Sequence, residues 1–468
     1  MGVCVGACPY HRAVLLRKTF ATFFLLRFCF HAFVGTHEVT RENGMHTPPE
    51  TGVSRRAVLA GIAGNVMEWY DFAIYGYFAP AIGQHFFPSR DQTASVIAAF
   101  GVFAAGFLMR PIGGLLFGYI GDRIGRKAAL TLSVLAMAIP TFLIGLLPDY
   151  AQVGVAAPVL MVVLRLVQGL SVGGEYTTSA VFLVEGAASG RRGLMGSWSA
   201  FGSVAGILLG SAVGAVITSV VSAEAVQTWG WRVPFLAGLA VGLVGLYIRR
   251  HLPEASARPV AATPPASPVR EAFRTEWRAM LRVAGFNVLT AVGFYMVFVY
   301  VVTYLQQVVH IRAARALDIN TINMVLLLLL LPVAGALSDR IGRKPLLIVA
   351  ALGTFVLAWP LFWLMHHPDA RLILTGQMGF AVLVGLFLGV VPATMVEAFP
   401  ARVRCSGVSV GYNLCLGILG GTTPMVTAYL IARSHDDLSP AFYLMAAAAV
   451  SFFVILRLRE TARAPLLP

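Results

Sequence analysis

The chain is built from long apolar segments separated by short polar stretches. Twelve such segments of about 20 residues each follow one another, and about 20 apolar residues are what a helix needs to cross the hydrocarbon layer of a bilayer. Backbone groups in lipid must be hydrogen-bonded within their own segment, which favours helices. The pattern therefore predicts an all-α polytopic membrane protein with twelve transmembrane helices, at 57–84, 93–119, 128–147, 155–184, 194–221, 232–249, 280–308, 319–337, 344–365, 370–397, 405–432 and 439–457.

Two polar stretches divide the chain into regions. Residues 1–54 fit none of the segments, and we expect them to be an N-terminal extension that is disordered or a mis-assigned start, with the working chain beginning near Met45. Residues 250–279 are rich in Pro, Ala and Arg, which is typical of a flexible linker followed by a short amphipathic piece. The linker separates a six-helix half at 55–249 from a second six-helix half at 280–468.

The charge distribution places the polar stretches relative to the membrane. The formal charge of +14 would suit a nucleic-acid-binding protein, but the chain has no basic arm with interleaved aromatics, so we expect no nucleic-acid partner. Arg and Lys instead concentrate in alternate loops, as they do on the cytoplasmic side of membrane proteins. We therefore expect a multi-pass protein of the cell (inner) membrane, embedded in the lipid bilayer, with both ends of the bundle in the cytoplasm.

The chain contains an internal repeat. The loop "GYIGDRIGRK" (118–127) follows the second segment, and "GALSDRIGRK" (335–344) follows the eighth. After the fourth and tenth segments come "LVEGAASGRRG" (183–193) and "MVEAFPARVRCSG" (395–407). Matched landmarks in the same order imply two parallel halves related by an axis along the membrane normal, with a binding site between them near the midplane.

These motifs resemble those of a known family. The paired loops resemble the signature of the major facilitator superfamily. The stretches "GNVMEWYDF" (64–72), "RLVQGLSVGGEY" (165–176) and "GWRVPF" (230–235) are similar to those of its metabolite:proton symporter branch, which includes transporters for proline and betaine, citrate, α-ketoglutarate and shikimate. The resemblance implies the major facilitator fold and alternating access powered by the proton gradient, without a cofactor. We expect a monomeric functional unit.

The loop motif itself has a physical use. A carboxylate at a helix end can cap the N-terminus of a neighbouring helix and pair with an arginine. By resemblance, the two loops are gate latches, although either could be a plain positively charged cytoplasmic loop. The candidate gate residues are Gly121, Asp122, Arg123, Gly125, Arg126, Asp339, Arg340, Gly342 and Arg343.

The first segment carries two carboxylates, Glu68 and Asp71, in an otherwise apolar run. At 100° per residue they share a stripe about 120° wide with Asn65 and Tyr75. Acidic residues inside a membrane span are costly and mark ion or substrate pathways. We expect the stripe to face a central cavity, with Glu68 or Asp71 taking up the coupling proton, Glu175 as a third candidate, and Asn65 and Tyr75 as substrate-binding candidates.

Two arginines inside segments need partners or a cavity. On a regular helix Arg165, Gln168 and Glu175 share one face. Arg165 could tune a nearby acid, which the resemblance favours, anchor a substrate carboxylate, or form a static ion pair. Arg110 could bind a substrate carboxylate through its planar fork or pair with Glu68 or Asp71.

Polar side chains of later segments complete the candidate site. Tyr295 in the seventh segment and Asn413 in the eleventh could hydrogen-bond a solute, and aromatic faces could hold a quaternary ammonium; packing roles are the alternative. Gln168 is also a substrate-binding candidate. The five cysteines show no metal-ligand spacing, so we expect no metal site.

The function that follows is transport. The chain has neither a GxxxxGK[ST] phosphate loop nor an HExxH zinc motif, so we expect it not to be an enzyme. The prediction is proton-coupled symport of a small carboxylate-bearing metabolite, either an organic acid such as citrate or a dicarboxylate, or a zwitterion such as proline or betaine. Sodium coupling and a solute sensor that does not transport remain alternatives.

Overall fold

The helices of the structure follow the predicted segments closely. The computed structural model describes residues 55–123, 126–188, 190–251 and 268–467, and for 55–57, 59–61, 117–123, 126–131, 245–251 and 268–269 it describes only the backbone. All regular structure in these ranges is helical. The twelve helical segments are α1 (Arg55–Tyr77), α2 (Gln92–Leu108 and Arg110–Arg123), α3 (Arg126–Leu146), α4 (Ala156–Ser171 and Glu175–Glu185), α5 (Arg192–Val220), α6 (Arg232–His251), α7 (Trp277–Gln307), α8 (Ala313–Ile341), α9 (Arg343–Met365), α10 (Ala370–Leu388 and Val391–Glu397), α11 (Arg404–Cys415 and Gly421–Ser434) and α12 (Ser439–Leu456).

Nine helices of the described part are long and apolar enough to cross a membrane. They are α2, α4, α5 and α7–α12, so length and composition confirm nine of the twelve predicted spans. Helices α3 and α6 contain shorter apolar stretches, Leu132–Leu146 and Arg232–Val244. The remaining helix, α1, is the one that carries Glu68 and Asp71.

Several helices are interrupted where the sequence pattern predicts continuous spans. Helix α2 breaks at Met109, two residues before Pro111, which has no N–H to donate to the carbonyl one turn earlier and so interrupts the helical hydrogen bonding. Helix α4 breaks between Ser171 and Glu175. The expectation that Arg165, Gln168 and Glu175 share one regular helical face is therefore wrong for Glu175, which begins a new helix.

The break in α4 brings two backbones together. A Cβ atom added at Gly173 would lie 2.1 Å from the carbonyl oxygen of Arg110, so only glycine fits there. Gly169 approaches α2 in the same way, since an added Cβ would lie 1.9 Å from the carbonyl oxygen of Gly106. Small residues permit such close contact between membrane helices. As a result, the polar side chains of α2 and α4 lie side by side in the middle of the bundle.

The helices form two halves, α1–α6 and α7–α12, which meet along two seams. Helix α5 packs along α8 on one side, and α2 packs along α11 on the other. Helix α5 also packs closely on α1: an added Cβ at Gly206 would lie 2.4 Å from the carbonyl oxygen of Val66. These contacts place the carboxylates of α1 and the arginines of α2 and α4 near the junction of the halves.

The distribution of polarity is inverted relative to a water-soluble protein. On α9 the large apolar side chains of Val349, Val356 and Trp363 are exposed, whereas Ala350 and Ala358 point inward and are buried. The charged side chains of α1, α2 and α4 are buried instead. A surface of large apolar residues around a polar interior suits a lipid environment.

The region between the halves is described only in part. A short helix at Pro268–Thr275 precedes α7, as the predicted amphipathic piece requires. Residues 252–267 of the predicted linker and all of the predicted extension 1–54 lie outside the described residues.

Candidate functional site

Four charged side chains lie buried at the centre of the bundle. Glu68 and Asp71 of α1 are 2% and 4% exposed, and Arg110 of α2 and Arg165 of α4 are 1% and 0% exposed. Burying a charge is costly unless it is paired and hydrogen-bonded. Their contacts divide them into two groups, one at the junction of the halves and one inside the first half.

The first group is an ion pair between Glu68 and Arg110. The Nη2 atom of Arg110 lies 3.1 Å from Oε1 of Glu68. Arg110 also donates through Nε to Oδ1 of Asn413 on α11, at 3.2 Å. The Asn413 amide in turn donates to the carbonyl of Gly173, at 2.7 Å, in the α4 break. The pair is therefore tied to both halves, which is one of the two alternatives that the sequence leaves open for Arg110.

Aromatic rings surround this ion pair. The Arg110 guanidinium carbon lies 5.7 Å from the ring centre of Trp69 and 5.2 Å from that of Phe107. The Trp69 ring contacts that of Tyr295 on α7, with centroids 6.1 Å apart. We call the rings around the pair the aromatic cluster; they come from α1, α2, α4, α7 and α11 and belong to Trp69, Phe107, Tyr176, Phe294, Tyr295 and Tyr412.

Several buried polar atoms at the aromatic cluster lack a hydrogen-bond partner among the described residues. They include Nε1 of Trp69, Nη1 of Arg110 and the hydroxyl of Tyr295. Buried polar atoms without partners are rare in folded proteins, because each one loses its hydrogen bonds to water. Three of them around one ion pair indicate a place where a polar ligand completes the bonding.

The second group surrounds Asp71 inside the first half. The hydroxyl of Thr141 on α3 lies 2.5 Å from Oδ2 of Asp71. The Gln168 side chain donates to Oγ1 of Thr141 at 2.6 Å and accepts from Nη1 of Arg165 at 2.9 Å. Asp71 and Arg165 are thus joined through two neutral side chains.

Arg165 lies against aromatic faces. Its guanidinium carbon is 4.3 Å from the ring centre of Tyr75 and 4.8 Å from that of Phe72. Cation–π contacts of this kind stabilise a desolvated arginine. Two of its nitrogen atoms, Nε and Nη2, have no hydrogen-bond partner among the described residues. Arg165 therefore has hydrogen-bond donors available next to α1, the helix that carries Glu68 and Asp71.

A small cavity adjoins both groups. All three candidate proton acceptors, Glu68, Asp71 and Glu175, line it, together with residues of α3 and α6. Its volume of about 20 Å³ gives room for a water molecule. Glu175 reaches this cavity from the helix that begins after the α4 break, so the three acids line one cavity although they do not share one helix face.

The predicted polar stripe of α1 spreads over several neighbours. Asn65 donates to the carbonyl of Ser199 on α5, at 3.1 Å, and Tyr75 donates to the carbonyl of Ala99 on α2, at 3.0 Å. These two side chains connect α1 to α5 and α2, while Glu68 and Asp71 contact different partners.

Thr141 and Tyr176 were not among the site residues predicted from the sequence. The one available signal for Thr141 was a hydroxyl residue directly after Pro140, inside an apolar span.

The loop between α8 and α9 joins the halves at the end of the bundle that we expect to be cytoplasmic. Oδ1 and Oδ2 of Asp339 accept the backbone N–H groups of Gly193 and Leu194, at 2.8 and 2.9 Å, which caps α5. Arg343 donates to Asp339 at 2.8 Å and to Glu397 at 3.0 Å. A carboxylate at a helix N-terminus is stabilising, so this loop fastens α8 of one half to α5 of the other.

The same end holds further contacts between the halves. Arg192 lies 3.3 Å from Glu397, and Arg404 lies 2.5 Å from Glu185. Of the predicted gate residues, Arg340 is exposed. The first loop, with Gly121, Asp122, Arg123, Gly125 and Arg126, lies where the structure describes at most the backbone, so its side chains fall outside the described residues.

The segment after α12 is part of this arrangement. Oε1 and Oε2 of Glu460 accept the backbone N–H groups of Arg343 and Lys344, both at 2.9 Å, and so cap α9. Gly342, the residue before the cap, has φ of +107°, and an added Cβ would lie 2.6 Å from Oε2 of Glu460. Glycine accepts this conformation without strain, which lets the carboxylate reach the helix end.

Glu460 gives this cap a predicted pH dependence. Partial burial opposes ionisation, but four backbone N–H groups hold the pKa of its carboxyl below the usual 4.5. A lowered pKa in the folded state stabilises the fold above the unfolded pKa, and this contribution is lost as pH falls through the folded value. We expect Glu460→Gln to lower the Tm by roughly 1–3 °C at pH 7, and we expect the difference from wild type to disappear as pH falls through the lowered folded-state pKa.

Thermal unfolding of the purified protein in detergent, scanned from pH 3.5 to 8, measures this difference. Glu224→Gln is the matched control, since Glu224 is exposed and lies in a short connecting helix. A difference between wild type and Glu460→Gln that stays constant across the pH range would contradict the capping role.

Comparison with known proteins identifies the family. Residues 57–258 match the model for sugar and other transporters, and residues 288–467 match that for the major facilitator superfamily. A proline/betaine transporter of Salmonella typhimurium is 38% identical over 429 residues, covering 89% of this chain and 86% of that protein. A glycine betaine/proline/ectoine/pipecolic acid transporter of Dickeya dadantii is also 38% identical, covering 89% and 85%.

Solved structures agree on the fold. The proton:xylose symporter XylE bound to 6-bromo-6-deoxy-D-glucose superposes with a TM-score of 0.69 at 19% identity, covering 88% of this chain and 97% of that one. A crystal structure of a D-xylose-proton symporter gives 0.68 at 20% identity, covering 88% and 98%.

The chain belongs to the major facilitator superfamily, and the relatives that it matches at 38% identity are proline/betaine and related transporters. Its two-half helical fold and its class as a membrane transporter, not an enzyme, are confirmed, because its relatives are named transporters and its structural neighbours share the fold. The roles of the individual site residues stay predictions.

Proposed function

We propose that the chain is a proton-coupled symporter of a small zwitterion that carries a carboxylate and a cationic nitrogen. The observation that carries the proposal is the buried pair of Glu68 and Arg110 at the junction of the halves, enclosed by the aromatic cluster. The names of the relatives, which are transporters of proline, glycine betaine and similar zwitterions, support it.

The ion pair favours a zwitterion over an organic acid. A ligand with both charges can give its carboxylate to Arg110 and its cationic nitrogen to Glu68, so that both protein charges stay compensated when the pair opens. A di- or tricarboxylate would compensate Arg110 but bring further negative charge toward Glu68. Unpaired buried charges cost several kcal/mol, so the site discriminates against organic acids.

The aromatic cluster suits the cationic end of such a ligand. The face of an aromatic ring attracts a quaternary ammonium, which cannot donate hydrogen bonds, and tryptophan does so most strongly. The free Nη1 of Arg110 and Nε1 of Trp69 are donors that fit a carboxylate. Tyr295 and Asn413 bring the second half into contact with the ligand, so that binding draws the two halves together.

The proton is assigned to the acids around the small cavity, with Asp71 first and Glu175 next. Asp71 lies among neutral hydrogen-bonding side chains near Arg165, and its protonation changes the charge that Arg165 experiences. Transport then proceeds by alternating access, with the Asp339 loop opening and closing one end. We propose that this end faces the cytoplasm, that the start of α1 and the end of α12 lie on the same side, and that one monomer is the functional unit.

Uptake into proteoliposomes tests the function. With an inside-alkaline pH gradient, we expect accumulation of radiolabelled proline and glycine betaine that an uncoupler abolishes, and at least tenfold slower uptake of citrate and succinate. Accumulation that follows an imposed sodium gradient at constant pH would reassign the coupling ion. Binding of either zwitterion without uptake under any gradient would favour a sensor.

The aromatic cluster supplies a variant for the same assay. Trp69→Leu should raise the half-saturating concentration for glycine betaine roughly tenfold, because a desolvated cation–π contact is worth about 1–2 kcal/mol. Trp363→Leu, on the lipid-facing side of α9, is the matched control and should behave as wild type. Equal effects of the two substitutions would count against binding of the ammonium group by the aromatic cluster.

A further inference from the structure

The single hydrogen of the Thr141 hydroxyl has two acceptors within reach. Its Oγ1 lies 2.5 Å from Oδ2 of Asp71 and 2.8 Å from the carbonyl of Met137, one turn earlier in α3, and both are acceptors. It also receives the Gln168 amide at 2.6 Å. A hydroxyl has one hydrogen and two acceptor lone pairs, so the hydrogen can serve either Asp71 or Met137, but not both.

The protonation state of Asp71 decides between the two acceptors. An ionised carboxylate only accepts hydrogen bonds, and therefore takes the Thr141 hydrogen. A protonated carboxyl can instead donate its own O–H to Oγ1, and the Thr141 hydrogen then turns to the Met137 carbonyl. Every group keeps a partner in both states, and Thr141 rotates only its hydroxyl.

Gln168 fixes the direction of this arrangement. Its amide nitrogen donates to Thr141, which leaves its oxygen to accept from Arg165. Because Gln168 occupies one lone pair of Oγ1, the Thr141 hydrogen is confined to the two remaining directions, toward Asp71 or toward Met137. Asp71 and Arg165 form no ion pair within 4.0 Å, and the hydrogen-bonded link between them runs through Thr141 and Gln168.

The other groups that face Asp71 complete its surroundings. The charged and titratable ones are Glu68 and Tyr70 on its own helix and Arg165 and Glu175 on α4. Helix α6 contributes Gly238, whose added Cβ would lie 3.6 Å from Oδ1 of Asp71, and α3 contributes uncharged side chains. Thr141 is therefore the one hydroxyl seen to bond the Asp71 carboxylate among the residues that the structure describes.

We propose that Thr141 is a positioning residue for proton coupling: its hydroxyl, whose orientation Gln168 restricts, stabilises ionised Asp71 and so sets the pH at which Asp71 exchanges its proton with water in the adjoining cavity. The inference rests on the proposed function, because it takes Asp71 as the coupling acid. Thr141 lies outside the proposed substrate site, so it would tune proton coupling without contacting the substrate.

The test is the pH dependence of uptake. Initial rates of proline and glycine betaine uptake are measured in proteoliposomes at a series of external pH values with internal pH clamped. Thr141→Val keeps the shape but removes the hydroxyl. It should shift the pH midpoint upward by about one unit, a tenfold change in proton affinity, because the ionised carboxylate loses its donor. Thr141→Ser retains the hydroxyl and should restore the wild-type midpoint.

Thr354→Val is the matched control. Thr354 is a buried threonine within α9 that bonds the carbonyl of Ala350 one turn earlier, as Thr141 bonds Met137, but it has no carboxylate partner in the described residues. It should leave the midpoint where it is in wild type. If Thr141→Val fails to fold by size-exclusion chromatography, Thr141→Ala removes the same hydroxyl without adding bulk and should give the same upward shift.

Two outcomes separate the inference from the function on which it rests. If Asp71→Asn removes accumulation while both Thr141→Val and Thr141→Ala keep the wild-type midpoint, the role of Thr141 is wrong and the proton site stands. If Asp71→Asn still accumulates substrate on a pH gradient, the coupling acid lies elsewhere, and the inference fails together with that part of the proposed function.

Discussion

Replacing Arg110 with lysine should lower the ratio of maximal uptake rate to half-saturating zwitterion concentration about 100-fold, even though the positive charge is kept. Arg110 uses Nη2 for Glu68, Nε for Asn413 and still has Nη1 available for a ligand. A lysine ammonium is a compact point charge that cannot hold this planar fork of contacts. Losing two charge-assisted hydrogen bonds in a buried site corresponds to about 3 kcal/mol.

Proteoliposome uptake kinetics measure this effect, with Arg371→Lys as the matched control because Arg371 is exposed at the start of α10. A near-normal rate for Arg110→Lys would mean that the guanidinium serves only as a charge.

The doubly neutral variant Glu68→Gln/Arg110→Gln separates a structural pair from a substrate-binding pair. Removing one partner alone leaves a buried charge uncompensated and costs about 3–5 kcal/mol, whereas removing both is tolerated far better. We expect the double variant to fold and to show no measurable transport. A double variant that folds and transports would show that the pair only holds the helices together.

Replacing Asp71 with asparagine should abolish accumulation against a gradient while exchange of labelled for unlabelled substrate across the bilayer continues. Asparagine resembles the protonated carboxyl in shape and in its ability to donate to Thr141, but it cannot release a proton. The carrier can then still alternate with substrate bound, yet it no longer draws on the proton gradient.

Asp318→Asn, at the start of α8 and far along the chain from the acids of α1, is the control for loss of a carboxylate as such. By contrast, Glu68→Gln should weaken exchange and accumulation together, because Glu68 is placed in the substrate site. Loss of exchange in Asp71→Asn, or retained accumulation, would contradict the division of labour between the two carboxylates.

Most of the fold could be predicted from the sequence because each apolar segment obeys a local rule: backbone groups in lipid must form a helix. The breaks were harder to predict. Pro111 signals the interruption of α2, but the α4 break at Gly173 depends on how closely α2 approaches, which is a tertiary contact. The placement of Glu175 beside the acids of α1 follows from that break.

The charged residues of the site could be predicted from the sequence, but which acid pairs with which arginine could not. Buried charges stand out in an apolar run, so Glu68, Asp71, Arg110 and Arg165 could be identified from their rarity alone. Which acid meets which arginine depends on helix rotation and spacing, and the sequence left both alternatives for Arg110 open. Thr141 carries almost no signal, since a threonine in an apolar helix can satisfy itself on the carbonyl one turn earlier.

The sharing of Glu397 between two arginines has a consequence for the speed of turnover. Arg343, from its own half, and Arg192, from the other half, both contact Oε1 of this carboxylate. If the halves separate at that end, as the proposed alternating access requires, Arg192 leaves with the first half while Arg343 stays beside Glu397. We therefore expect the carboxylate to keep one cationic partner throughout, which avoids the cost of an unpaired buried charge and favours a low energy barrier to opening.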